Sequence, residues 1–489
     1  MPFSEVPKGM GTSVMGFSGL MMSGIDAQGK HHLAIPYYNQ VQNTYYDGPV
    51  ATQYDSAYDS FYRRVFKITR QQIDQHRAEA VPVPVGAIST AVKLWPAVGN
   101  PYVTAQYGVN IHHRMAPFID ADGNGSYDPA MGDYPAFCGD QAVFFVYNDE
   151  RGSHDSIAGS NNLGFEVRGM AEQFLDVGTS LTKNPVNNSV FVHYEIENLS
   201  ANTYSDFYVG MNSDPDVGCY SNDAVGCDTS RNLAYAYNRT LTDNDCNGVA
   251  GYRNLSAAVG VQRLDAPLSS FSYFTNGGTF NPITDSNHYY YLRGFWGDGA
   301  PITEGANGRG GTTATKYMYP GTPTDTTAWS EVTAMTQMGD RRFLACSGPG
   351  TFAPEQIRSF DYAFFASYDS TASHLTIVDT LRRDADVIQQ FYNANLVNCR
   401  NSFTTNIAER KENTLQFSVY PNPASSLLMV ETSGMIDLAE LKDMLGRTVL
   451  SQKAHTGKLL LDVSLLAKGV YLLKIEAAGK TAVKKIVVE

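Results

Sequence analysis

Apolar and polar positions alternate with a period of two from about Gln141 to Asn212, the pattern of strands with one face on a core. Ser189–Asn198 shows it clearly: Val190, Val192, Tyr194 and Ile196 fall on one face, and His193, Glu195 and Glu197 on the other. A second apolar run from Tyr204 to Asp214 follows a short polar turn, so the two are expected to pair as a hairpin. An earlier hairpin is predicted from Gly19 to Ile35, with Asp26-Ala27-Gln28-Gly29 at its turn and the pair at the edge of a sheet.

Helical signals are fewer. Thr69 followed by Gln72 forms a capping-box pattern for a short helix ending near His76, before the proline-rich Val81–Gly86 breaks regular structure. Leu375, Val378, Leu381, Ala385, Ile388 and Tyr392 recur at three- and four-residue intervals, predicting an amphipathic helix that packs back on the sheet. Residues 298–328, rich in Gly, Thr and Pro, read as a long surface excursion, and residues 400–414 as a polar linker. The expected architecture is mainly β: a large, sandwich-rich passenger over residues 1–399 with a few helices, then a small immunoglobulin-like sandwich over 415–489.

Composition agrees. With 30 Tyr, 24 Phe and 43 Gly in 489 residues but only 17% charged side chains, strands and turns are favoured over helical bundles. A net charge of −13 argues against nucleic acid as a partner, and no apolar run is long enough to span a membrane as a helix. Six scattered cysteines include no Cys-x-x-Cys pair; Cys219 and Cys227 could bridge a short loop, although six cysteines permit fifteen complete pairings.

The last 75 residues hold the most specific signal. Tyr420-Pro421-Asn422-Pro423, the Gly446-Arg447 turn, the Gly469-x-Tyr471 strand start and the closing Lys484-Lys485 run occur in order among short strands. Together they resemble the type A C-terminal sorting domain carried by type IX secretion cargo of Bacteroidetes. The resemblance implies delivery to the cell surface or medium, with the translocon and a sortase-like peptidase as partners. The start of the chain has no signal-peptide pattern, so export implies that it begins downstream of the precursor's leader. Stretches beginning at Asp120, Asp214, Leu292 and Gly339 resemble the passenger of an uncharacterised Bacteroidetes surface-protein group, a resemblance that brings no activity with it.

Two acidic loops are the candidates for chemistry. In the first, over 120–133, Asp120, Asp122, Asn124, Ser126 and Asp128 place oxygen donors at every second position, as a Ca²⁺ loop requires. Met131 stands where a standard EF-hand has its bidentate Glu, leaving Asp133 or a distant group to complete the shell. In the second, over 214–228, Asp214, Asp216, Asp223 and Asp228 would repel one another unless solvated or bridged by a cation. The competing reading of both is a loop whose side chains cap their own backbone. Metalloprotease, serine-hydrolase and nucleotide-loop motifs are missing from the sequence, and His31-His32 and His112-His113 point to opposite faces if they lie on strands. The passenger is therefore read as a calcium-stabilised adhesion, glycan-binding, matrix-binding or structural module, with a secreted carbohydrate-active hydrolase using an unidentified carboxylate pair as the alternative.

Overall fold

The computed structural model describes residues 4–36, 44–152, 161–175, 184–275, 281–400, 417–443, 447–477 and 480–488. The chain divides into two compact units, Met1–Asn406 and Ile407–Glu489. Of the expected linker, all but Arg400 lies outside the described residues.

The first unit is built on two antiparallel sheets. One has five strands, in the order Ser270–Thr275, Arg341–Phe352, Tyr204–Asp214, Phe17–Ile25 and His31–Ala34. The other has nine: Asp223–Asp228, Leu233–Asn238, Ser256–Arg263, Ile357–Asp369, Ser189–Asn198, Phe165–Gln173, Gln141–Asn148 and Tyr46–Asp47 in order, with Phe66–Thr69 also on Gln141–Asn148. Leu20, Met22, Val209 and Met211 of the smaller sheet share one core with Val167, Val192, Ile196, Val261 and Tyr362 of the larger. This is a sandwich whose inner faces are set by the two-residue period.

The larger sheet is covered on its other face as well. The Ile377–Phe391 helix buries Ile377, Leu381, Ala385 and Ile388 against Ala258, Ala363 and Phe365. At the far end, Phe61, Ile73, Trp95 and Tyr127, from the short helices and turns over residues 51–137, pack on Ala142, Phe144 and Val146. The capping box at Thr69 is present in full and opens the helix Arg70–Arg77.

Three expectations are corrected. Ser189–Asn198 and Tyr204–Asp214 do not form a hairpin: the first pairs with Phe165–Gln173 and Ile357–Asp369, the second with Phe17–Ile25 and Arg341–Phe352. The short connection carries the chain from one sheet to the other, which periodicity cannot reveal because it fixes a strand's face and not its partner. Residues 298–328 are loop-like and largely exposed, but they are not a free excursion, since Ile302, Met318 and Tyr319 are fully buried in the sandwich core. Cys219 pairs with Cys246 and Cys138 with Cys399, leaving Cys227 and Cys346 as buried thiols.

The second unit has its own five-stranded sheet: Phe417–Tyr420, Leu427–Lys442, Gly469–Ala477 and Lys480–Val488 in order, with Thr448–Asp462 also on Leu427–Lys442. The pairing register of Leu427–Lys442 shifts between Glu431 and Ile436. Its first half pairs with Phe417–Tyr420 and its second with Gly469–Ala477, so one strand serves two layers of a sandwich-like fold. Leu428, Val430, Leu441, Leu473, Ile475 and Ile486 form the separate core.

Candidate functional site

Three places bring functional side chains together: the two acidic loops of the first unit and the motif-bearing strands of the second.

In the first loop the backbone wraps around carboxylates. Asp120 Oδ1 accepts hydrogen bonds from the amides of Gly123 (2.8 Å) and Asn124 (3.2 Å), and its Oδ2 from that of Gly125 (2.8 Å). Gly123 and Gly125 both have left-handed backbone, φ 74° and 79°, which a side chain would strain and which lets the chain coil this tightly. Asp122 Oδ1 accepts from the Asn124 amide, and Asn124 Oδ1 from that of Ser126. Asp128 caps the short turn Pro129–Met131. Asp133 is fully buried and accepts from the Ala121 and Asp128 amides, both at 2.8 Å. One oxygen from each of Asp120, Asp122 and Asp133 lies within 4.8 Å of the others. Burial pushes the Asp133 carboxyl up to about 6; the two amides oppose the rise, and the Asp120 and Asp122 charges add to it. Tyr127, whose hydroxyl donates to the Val92 carbonyl at 2.6 Å, ties the loop to the core.

The second loop divides. Asp214 and Asp216 converge with Asp340, which precedes the Arg341–Phe352 strand, again with oxygens within 4.8 Å. Arg342 Nη2 lies 3.2 Å from Asp214 Oδ2. Burial raises Asp214 to about 6 and Asp216 to about 7, and repulsion among the three carboxylates adds to both shifts. Asp223 instead accepts from the Val217 amide, and burial raises it as well. Asp228 sits between Arg231 and Arg382, at 2.9 and 3.2 Å; burial works against its charge, but Ser230 and the two guanidinium groups outweigh it and lower its pKa. Asp340 was not among the sequence candidates, being 124 residues from Asp216 in the chain.

Sequence reasoning also missed a charged cluster on the larger sheet. Arg168, almost wholly buried, lies 2.7 Å from Glu166, 3.4 Å from Glu195 and 2.8 Å from Glu197. The contact with Glu166 raises the His113 pKa. On the neighbouring strand, burial works to raise Asp361, but hydrogen bonds from His193 and Tyr392 and the charge of Arg400 hold it at about 2. The alternating Glu195 and Glu197 look solvent-facing in the sequence, whereas Arg114 reaches Glu195 across that face at 2.5 Å.

In the second unit the sequence motifs touch. Asn422 Nδ2 donates to the Lys485 carbonyl at 3.0 Å, and the Val487 amide donates to Asn422 Oδ1 at 2.8 Å. The Pro421–Pro423 turn, entered and left through cis peptides at Pro421 and Pro423, is thus clasped to the last strand. Tyr420 donates to Glu431 at 2.9 Å, and Lys484 Nζ donates to the Phe417 carbonyl while lying 5.0 Å over the Phe417 ring. Arg447 pairs with Asp443 at 2.7 Å, and Tyr471 donates to the Ala467 carbonyl at 2.7 Å. Gly469 pairs with Val488 at the strand end. Gly446 lies outside the described residues.

The secretion-system C-terminal sorting domain family matches residues 418–489. The chain ends in a type IX sorting domain. It is therefore a type IX secretion cargo, delivered to the cell surface or the medium, and its machinery of export is its partner. Among the described residues no helix is long and apolar enough to cross a membrane. No curated protein matches the chain. Among solved structures, a polysaccharide lyase is similar at 9% identity over 66% of this chain, with a TM-score of 0.19, a likeness too slight to carry an argument. The chain spans about a third (34%) of that lyase.

The clasp makes a prediction for the sorting domain. Asn422→Ala removes two hydrogen bonds and is expected to destabilise it by about 1–2 kcal/mol. Urea unfolding followed by limited proteolysis would read this as earlier cleavage within 417–488, with passenger fragments unchanged. Identical cleavage curves would show that the clasp contributes nothing.

Proposed function

We propose that the passenger is a calcium-stabilised binding module of the cell surface, making contact with glycans or matrix through a cavity between the larger sheet and the segment 4–18. The observation that carries this reading is the lining of that cavity, about 730 Å³, by Phe145, Tyr194 and Phe364 beside the amides of Gln173, Asn187 and Asn188. Aromatic faces with convergent amide groups suit an uncharged polar ligand. Among the described residues Glu5 is the one carboxylate in its lining, where glycoside hydrolysis ordinarily takes a pair. Glu166, Glu195 and Glu197 all converge on Arg168, which favours ion pairing over acid–base work. A glycan and matrix-protein array probed with the full chain tests the proposal. Binding that Phe145→Ala abolishes is the expected result; shortened glycan products, or no binding, would overturn it.

Calcium is proposed at the Asp120 loop, held by Asp120, Asp122 and Asp133, with Asn124, Ser126 and Asp128 as further oxygen donors of the same loop. Removing it should lower the passenger's melting temperature by several degrees, since a ligand at 100 times its Kd stabilises by about 2.7 kcal/mol. The pH dependence has a definite sign. Asp133, raised to about 6, favours the folded state when protonated, so the calcium-free protein loses that contribution as pH rises from about 4 through about 6. Calcium binds the ionised form and restores it. Calorimetry with and without EGTA should therefore show a larger gap at pH 8 than at pH 5; superimposable curves at pH 8 would end the calcium reading.

A further inference from the structure

We propose that Asp214, Asp216 and Asp340 hold a second calcium ion, where the end of the Tyr204–Asp214 strand lies beside the start of the Arg341–Phe352 strand. The site is assembled by pairing across the smaller sheet, with Ser213 opposite Phe343, which brings the residues flanking both strands together. One oxygen from each carboxylate falls within 4.8 Å of the other two. Calcium–oxygen bonds of 2.3–2.6 Å place ligands up to about 5 Å apart across the ion, so the span fits.

A second observation points to a ligand. Asp214 is 5% exposed, and while Arg342 occupies its Oδ2, its buried Oδ1 accepts no hydrogen bond from any described residue. Two residues earlier, on the same face of the strand, Asn212 is equally buried and its Oδ1 is likewise unmatched. Buried oxygens facing one side without donors are costly unless something positive lies between them. The backbone also makes room: a Cβ at Gly16 would come within 2.6 Å of Asp216 Oδ2 and 3.4 Å of the Asp214 carbonyl. Glycine at position 16 thus lets the Asp216 carboxylate lie against the chain. The donor set is all oxygen, with Asp214 buried and Asp216 and Asp340 half-buried, and three carboxylates converging directly suit calcium better than magnesium, an ion that keeps several of its waters.

This site is independent of the Asp120 loop, and the two are separable by experiment. Bound calcium would be counted on the full chain after equilibrium dialysis. The double variant Asp216→Asn/Asp340→Asn should bind one ion fewer than the wild type, whereas Asp120→Asn/Asp122→Asn should leave this ion in place. Gly16→Ala, which keeps every carboxylate, should weaken the same ion by tenfold or more. A folded Asp216→Asn/Asp340→Asn chain that binds as many ions as the wild type would overturn the proposal. Wild-type crystals soaked in terbium provide a measurement independent of any variant's folding: an anomalous peak among Asp214, Asp216 and Asp340 is expected, and no peak there overturns the site.

Discussion

A chain ending at residue 414 is expected to remain in the periplasm, folded and undelivered. The sorting domain has a core of its own, in which Leu428, Leu441, Leu473 and Ile486 are fully buried, and none of these belongs to the clusters that hold the passenger. Among the described residues its strands pair only with one another. Deletion therefore removes the address without opening the passenger's core, and the two readouts should separate. Surface display, measured by labelling intact cells, should fall to background, while the melting temperature of the purified passenger stays within a degree or so of its transition in the full chain. Undiminished labelling of the truncated chain would show that export is directed from elsewhere. A collapse of the passenger's own transition would show instead that the two units share stability.

Loss of the Cys138–Cys399 bridge is expected to have the largest effect on the passenger's stability. The bridge closes a loop with a sequence separation of 261 residues, and on the chain-entropy account such a loop stabilises by about 5 kcal/mol, the upper end of what disulfides contribute. Cys399 follows the Ile377–Phe391 helix, and the adjacent Arg400 pairs with Glu172 and Asp361 of the larger sheet. Reduction would remove the covalent one of these two anchors and leave the far end of that helix held by the Arg400 ion pairs alone. Cys138→Ser should therefore lower unfolding free energy by several kcal/mol in urea titrations, with a smaller loss for Cys246→Ser, whose bridge has a separation of only 27 residues. Equal losses for the two variants would contradict the loop-length argument. Such bridges suit an exported protein, since they persist in oxidising surroundings.

How much of this was legible depends on how local each feature is. The capping box at Thr69, the face of the Ile377–Phe391 helix and the Phe17–Ile25 to His31–Ala34 hairpin are read from residues within one or two turns of each other, and all appear as expected. The sorting motifs are equally local, and the structure adds their contacts, among them the reach of Asn422 to the last strand. Partner choice was not legible. Ser189–Asn198 and Tyr204–Asp214 have the periodicity of hairpin strands, yet each also pairs with a strand distant in the chain, Ile357–Asp369 for the first and Arg341–Phe352 for the second, and those partners lie in different sheets. The same applies to Asp340, to the Cys138–Cys399 bridge, and to the carboxylates around Arg168, which alternation alone marks as solvent-facing. The Asp120 loop lies between these cases. Its coil and its glycines follow from the sequence, whereas the burial of Asp133, which sets the carboxyl apart from its neighbours, comes from the tertiary fold.

The central claim is that the last 75 residues are a self-contained address. Fusing residues 415–489 to an unrelated periplasmic reporter, in a bacterium with a working type IX system, tests it most directly. The account predicts reporter activity on the cell surface or in the medium, and its loss when the translocon is disabled. Reporter that stays wholly in the periplasm of the secreting strain would contradict it.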